Sequence, residues 1–205
     1  MSETPTTQQQ QDRQMIFHPS NIMLFFLLAG LSFLFLALTV SYVYTRTTMN
    51  VAPVRLPWLF LFNTLILLGS SYTMMQAKKC YIQDNTAGYQ QQLKYTIILS
   101  VLFMLLQGLA WYLLFTDNIL LNSSTTTAYL YVISFVHLAH VVAGLPFLIL
   151  FYYRAKKHMI DPVTVLIYFS DPEKRLRLRL LTVYWHFLDV LWIYLVLFFA
   201  VNMLV

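Results

Sequence analysis

The 205-residue sequence predicts an all-α membrane protein, a bundle of five transmembrane helices. Three observations carry that expectation. The chain is 59% hydrophobic and only 10% charged, more apolar than a water-soluble domain of this length can bury. Five uninterrupted apolar runs reach the roughly 20 residues that a spanning helix requires. Of the eight acidic residues, only Asp189 falls inside one of those runs. The runs argue against a β-barrel, being continuous rather than alternating and far longer than a barrel strand of about ten residues.

Residues 1–20, MSETPTTQQQQDRQMIFHPS, are polar and glutamine-rich. They lack the basic start and short apolar core of a cleaved signal, and read as a disordered cytoplasmic tail ahead of a transmembrane domain over 21–205. The first span covers about 21–44 and closes on Tyr42 and Tyr44, expected as interface anchors. The second, about 57–75, carries Asn63, Thr64, Ser70 and Ser71; Asn63 and Ser70 lie two turns apart on one face, as helix-to-helix hydrogen bonding requires. Gln107 is placed similarly in the third span, about 95–115.

The fourth span, about 128–153, contains ISFVHLAHVVAGLPFL. Its spacing puts Ser134, His137, His140 or Val141, and Gly144 along one face. Ala139, Ala143 and Gly144 are small enough to admit a neighbouring helix, and Pro146 removes a hydrogen bond to Val142 and is expected to bend the helix. Tyr152 and Tyr153 close it as interface anchors. In the fifth span, about 181–204, Trp185, Asp189 and Trp192 share a face with His186 at its edge. Before it, EKRLRLRL is either a basic amphipathic approach to the membrane surface or a solvated loop. Two Asp-Pro turns, at Asp161 and Asp171, bound a short segment in the same connection.

Eleven of the thirteen basic residues fall on one side of such a bundle: Arg13 in the tail, Lys78, Lys79 and Lys94 around the second connection, and seven in the fourth. Arg46 and Arg55 lie on the other. Basic residues are retained in the cytoplasm, so the N-terminus is expected inside and the C-terminus outside. The net charge of +5 then reflects topology and anionic-lipid contact rather than nucleic-acid binding. A single cysteine, Cys80, excludes an internal disulfide and multi-cysteine metal or covalent haem motifs. There is no glycine-rich phosphate loop and no internal repeat of the transporter kind, and the nine methionines read as apolar filling rather than copper ligands.

His137, His140, His186 and Asp189 are costly at membrane depth unless partnered. One reading is a buried polar network locking the last two spans, with Asp189 accepting from imidazole N–H groups. A di-iron site needs four carboxylates where this region has one. A zinc held by three histidines and one aspartate, a bis-histidine haem, and proton handling by Asp189 with His186 remain as alternatives.

YWHFLDVLW, from Tyr184 to Trp192, resembles the last-helix motif of subunit III of haem-copper terminal oxidases. HLAHVVAG, from His137 to Gly144, is similar to that family's paired-histidine helix, FNTLILLGSSYT to its Asn-Thr and Ser-Ser pattern, and LLQGLAWYLL to its Gln-containing helix. The four stretches occur in the family's order, and the resemblance covers about residues 20–205. It implies the five-helix bacterial form, without the two N-terminal helices of the seven-helix version. Departures are visible: Gly30 and Leu31 stand where the family carries Ser-Glu, Ala110 beside Trp111 where it carries a second glutamate, and Leu138 where a glycine separates the histidines.

The resemblance implies a core but non-catalytic subunit of a proton-pumping cytochrome c oxidase in the bacterial inner membrane. It would pack on subunit I, join subunit II and other oxidase subunits, bind membrane phospholipid and support proton uptake, with a respiratory supercomplex as a further assembly open to it. Haem and copper would belong to the partner subunits, so no catalytic, cofactor or metal residue is assigned here. The expected polar network and motif residues are His137, His140, Gly144, Tyr184, Trp185, His186, Asp189 and Trp192, with Asn63, Thr64, Ser70, Ser71 and Gln107 in helix packing. A quinol oxidase or nitric-oxide-reductase-associated relative is the nearest alternative. An autonomous b-type cytochrome and a transporter or channel are alternatives of other classes.

Overall fold

The computed structural model describes residues 19–53, 56–117, 119, 124–159, 164–165 and 171–204. Its five long helices are α1 (Pro19–Met49), α2 (Trp58–Ile82), α3 (Thr86–Thr116), α4 (Thr125–His158) and α5 (Pro172–Leu204). All five are long and apolar enough to cross a membrane, and no strand occurs among the described residues. The expected tail lies outside the described residues except for Pro19 and Ser20, which already belong to α1, and so does the Asp161-Pro162 turn.

Each helix overruns its apolar window. α5 has 33 residues and is about 50 Å long, against a hydrocarbon core of about 30 Å. The windows mark where side chains must be apolar. The helices continue into polar sequence such as Gln90, Gln91 and Gln92, because the backbone ladder does not depend on the solvent outside it. The stretch from Glu173 to Leu180 is accordingly part of α5: Arg175, Arg177 and Arg179 are exposed, while Leu176 and Leu178 are buried.

α5 packs against α1, α2 and α4, and α2 lies along α3. α1 is the most peripheral, with 17% of its apolar window buried against 39% in α5. Tight turns set these neighbours. α2 and α3 are joined through Asp84, whose φ of 54° is left-handed, and Asn85, whose side chain accepts from the Gly88 N–H at 2.9 Å to cap α3. A Cβ on Gly88 would stand 2.9 Å from Cys80 Sγ and 3.0 Å from Asn85 Nδ2, so a larger residue there would displace one of those side chains. Ser124 caps α4 through the Thr127 N–H.

The far ends are tied by Arg46, whose Nη1 donates to the Asn202 carbonyl at 2.8 Å and its Oδ1 at 3.2 Å. Tyr42 departs from expectation: it is not an interface anchor but 1% exposed, edge-on to Tyr129, Phe198 and Phe199. Its neighbours on α4 and α5 exclude lipid from that position. Tyr44 and Tyr153 are exposed as expected. α4 continues as one helix through Pro146, which is exposed.

Asp171 caps α5, accepting from the backbone N–H groups of Glu173 at 3.0 Å and Lys174 at 3.4 Å. The Lys174 side-chain hydrogen bond, aided by these two N–H groups, holds its carboxyl below the usual range. A depressed carboxyl stabilises the first turn above the ordinary value near 3.9, and that contribution is lost as pH falls through the folded value. Asp171→Ala is expected to cost the first turn about 1 kcal/mol, seen as faster amide hydrogen exchange at the start of α5. Asp171→Asn should retain most of the cap and remove its acid sensitivity.

Candidate functional site

α2 and α5 run antiparallel, and their polar residues meet in register. The Trp185 indole N–H donates to Ser70 Oγ at 3.1 Å, the Trp192 indole N–H to Thr64 Oγ1 at 3.2 Å, and Ser71 Oγ lies 2.6 Å from His186 Nδ1. Moving seven residues up α5 moves six down α2, as two helices of similar pitch require. On its other face α2 binds α3: Asn63 Nδ2 donates to Gln107 Oε1 at 3.1 Å, Ser70 meets Ser100 at 3.4 Å, and Thr73 meets Thr96 at 2.8 Å. All five α2 and α3 packing residues read from the sequence lie here, and the Ser100 and Thr96 partners were missed. Their signal was present as an i, i+4 polar pair inside the third apolar run.

α4 approaches α5 at Gly144, where a Cβ would stand 2.8 Å from Tyr184 Cε1 and 3.1 Å from Trp185 Cζ3. Ala139 and Ala143, expected in the same contact, are exposed instead, because the buried face runs through Ser134, His137, Val141 and Gly144. The Tyr184 hydroxyl donates to the His140 carbonyl at 2.9 Å, and His140 Nδ1 lies 2.7 Å from the Val136 carbonyl, so that nitrogen carries the proton.

His137 is fully buried in an aromatic cage. Its ring lies 4.9 Å from that of Trp192, with Phe35 and Phe103 edge-on at 6.3 and 6.1 Å. Neither of its ring nitrogens has a hydrogen-bond partner among the described residues. Asp189 is 3% exposed, and its Oδ2 has no hydrogen-bond partner among the described residues.

The four residues expected to join α4 and α5 therefore divide. His186 turns to α2, His140 bonds its own helix, and His137 is held by ring contacts. The hydroxyls of α2 are the nearer acceptors and donors, so the imidazole-to-Asp189 pairing expected between the last two spans is replaced by a seam between α2 and α5. Two further links went unread: Trp111 Nε1 to Ser134 at 3.0 Å, and Thr39 with the Tyr194 hydroxyl at 3.0 Å. No group of three or more metal-ligating side chains occurs among the described residues.

A five-helix, multi-pass membrane protein whose spans are joined by a polar seam is the class that this geometry defines. The particular family follows from comparison: the chain belongs to the family described as cytochrome c oxidase subunit III, which it matches over residues 13–202. It is similar to a probable cytochrome c oxidase subunit 3 of Rickettsia prowazekii, with 33% identity over 139 residues, 66% of this chain and 45% of the relative. The cytochrome c oxidase subunit 3 of Emericella nidulans is 29% identical over 146 residues, 71% of this chain and 48% of that one. A probable subunit 3 of Mycobacterium leprae is 28% identical over 130 residues, 63% and 59% of the two chains. The chain thus spans about half the length of the curated relatives it matches.

Gly144→Ala is expected to separate α4 from α5 at a cost of about 1–3 kcal/mol, lowering the thermal unfolding midpoint in detergent. Trp185→Phe keeps the ring but loses the donor to Ser70, and should cost about 1 kcal/mol by the same measurement.

Proposed function

We propose that this chain is the non-catalytic subunit III of a proton-pumping haem-copper oxygen reductase in a bacterial inner membrane. In this reading it packs on subunit I, lies in one complex with subunit II, stabilises the oxidase and supports its proton uptake. Haem and copper belong to the partners, and bound phospholipid fills apolar surface between them. The eleven-to-two distribution of basic residues supports a cytoplasmic N-terminus.

The observation that carries the reading is how the motif from Tyr184 to Trp192 is spent. Trp185, His186 and Trp192 direct their polar atoms to α2, and Tyr184 directs its hydroxyl to α4. The motif is thus engaged in holding helices together, which suits a structural subunit. Large apolar side chains such as Phe25, Phe26 and Phe33 on α1 remain outward, available to lipid or to a neighbouring subunit.

The test is purification of the tagged chain from its native membrane in mild detergent. Recovery of a haem-bearing subunit I with oxygen consumption is the expected result. Oxidation of a quinol by that complex would select the quinol oxidase alternative. A chain that purifies alone with a haem spectrum of its own would overturn the reading in favour of a b-type cytochrome.

A further inference from the structure

Three side chains buried in the middle of the bundle keep polar atoms without partners among the described residues. Asn63 on α2, Gln107 on α3 and His137 on α4 are each completely buried. Asn63 Nδ2 donates to Gln107 Oε1, and the other atom of each amide, Asn63 Oδ1 and Gln107 Nε2, is left over. So are both nitrogens of the His137 ring.

These residues lie in one layer. The bond from Asn63 to Gln107 sets α2 level with α3. α3 and α4 run antiparallel, and Trp111 on the first donates to Ser134 on the second at 3.0 Å. Four residues back along α3 is Gln107, and three residues on along α4 is His137. The Trp192 ring completes the layer from α5, 4.9 Å from His137 and bonded to Thr64, the chain neighbour of Asn63. Phe103, one turn from Gln107, stands edge-on to both rings, its centroid 6.1 Å from that of His137 and 5.2 Å from that of Trp192.

The left-over atoms balance. Asn63 Oδ1 accepts and Gln107 Nε2 donates, and the imidazole adds one donor and one acceptor whichever nitrogen carries the proton. Exchanging oxygen and nitrogen in both amides reverses their bond and still leaves one acceptor and one donor. Orphaned groups of this kind are costly in hydrocarbon, so the set calls for a molecule that both donates and accepts. Complete burial of all three side chains excludes a lipid headgroup or a side chain of another subunit, which leaves a molecule of the size of water.

We propose that Asn63, Gln107 and His137 bind a water molecule inside the membrane, which donates to the free amide oxygen, accepts from the free amide nitrogen and bonds one nitrogen of the His137 ring.

A buried water typically makes about three hydrogen bonds to groups that otherwise lack them, which is the number this site offers. The second ring nitrogen is left to the aromatic cage. The bridge ties α4 to the amides of α2 and α3 at a level where His137 otherwise has ring contacts alone. The site is separate from the seam between α2 and α5, whose indoles and hydroxyls bond one another. Asp189, whose Oδ2 is also unpartnered, stands three residues from Trp192 along α5 and is not part of it.

The experiment uses the full chain in lipid nanodiscs, with nitrogen-15 in histidine and tryptophan rings and in glutamine side chains. Solid-state NMR measures the transfer of magnetisation from water protons to each nitrogen, and His137→Phe and Gln107→Met provide the assignments. Transfer is expected to the His137 ring and to Gln107 Nε2. None is expected to the Trp185 indole, which is as deeply buried but bonded to Ser70. In a chain carrying Asn63→Leu and Gln107→Met together, transfer to His137 should be lost. Absence of transfer to either residue in the native chain, or transfer to His137 that survives in the folded double variant, would overturn the proposal. Equal transfer to Trp185 would overturn it as well, since water would then pervade the interior instead of occupying a site. So would a coupling between a His137 nitrogen and Gln107 Nε2 across a direct hydrogen bond, for the side chains would then satisfy one another. Should the double variant fail to fold, the native comparison of His137 and Gln107 with Trp185 decides alone. The outcome is independent of whether the chain co-purifies with an oxidase.

Discussion

In hydrocarbon an indole N–H or a hydroxyl finds no water, so the hydrogen bonds between α2 and α5 act as constraints on where those helices can lie. Trp185 with Ser70 and Trp192 with Thr64 fix both the rotation and the axial register of the pair. A slide of one residue along either axis would leave two buried donors without acceptors. Each such orphan costs more than an individual bond contributes, which makes this register favourable even where the net worth of each bond is modest. Apolar packing alone would be far less selective, because lipid chains satisfy a leucine as well as another helix does.

Once α5 is fixed on α2, the rest of the bundle is assembled around it. The rings that donate to α2 also make the wall on which α4 rests: Trp192 packs at a tilt against His137, and Trp185 fills the space that Gly144 leaves open. α3 joins from the opposite face of α2 through Asn63 and Gln107. α1 contributes Phe35 to the cage around His137 and Thr39 to the Tyr194 hydroxyl, yet keeps most of its surface outward. The most polar helix interface is thus central, and the most apolar helix is peripheral, the reverse of the arrangement in a water-soluble bundle.

The five spans were legible because a bilayer imposes length and apolarity on each, and neither depends on which helix is the neighbour. Asn63, Ser70 and Gln107 were legible as packing residues for a related reason: a polar side chain in an apolar run must find a partner, whatever that partner is. The identity of the partner was not legible. His186 and Asp189 were expected to face the histidines of α4, but which of three neighbours a side chain meets depends on helix rotation. That rotation is set by contacts such as Gly144 with Tyr184, whose two residues are 40 positions apart. Tyr42 misled for a similar reason, since tyrosine near a span end is equally suited to a headgroup region or to a ring cluster such as that of Tyr129, Phe198 and Phe199.

The choice of serine and threonine along the seam follows from the geometry of a helical hydroxyl. Thr39, Thr64 and Ser134 each donate to the carbonyl four residues earlier, at 3.0, 2.9 and 2.7 Å. With its hydrogen so placed, such a hydroxyl offers lone pairs outward, which is what a neighbouring donor requires. Trp192 therefore reaches Thr64 and Trp111 reaches Ser134, each indole being a donor only. The same reasoning makes the Tyr194 hydroxyl the donor in its bond to Thr39. An alanine at these positions would leave an orphaned donor, and an asparagine would bring a second polar atom that also needs a partner. The pair Asn63 and Gln107 shows that cost directly, for Asn63 Oδ1 and Gln107 Nε2 stay unpartnered among the described residues after the two amides have bonded. Hydroxyls anchored to their own backbone hold a membrane interface together with the fewest polar atoms left over, and Ser71 differs from them in meeting the His186 ring nitrogen on α5 instead.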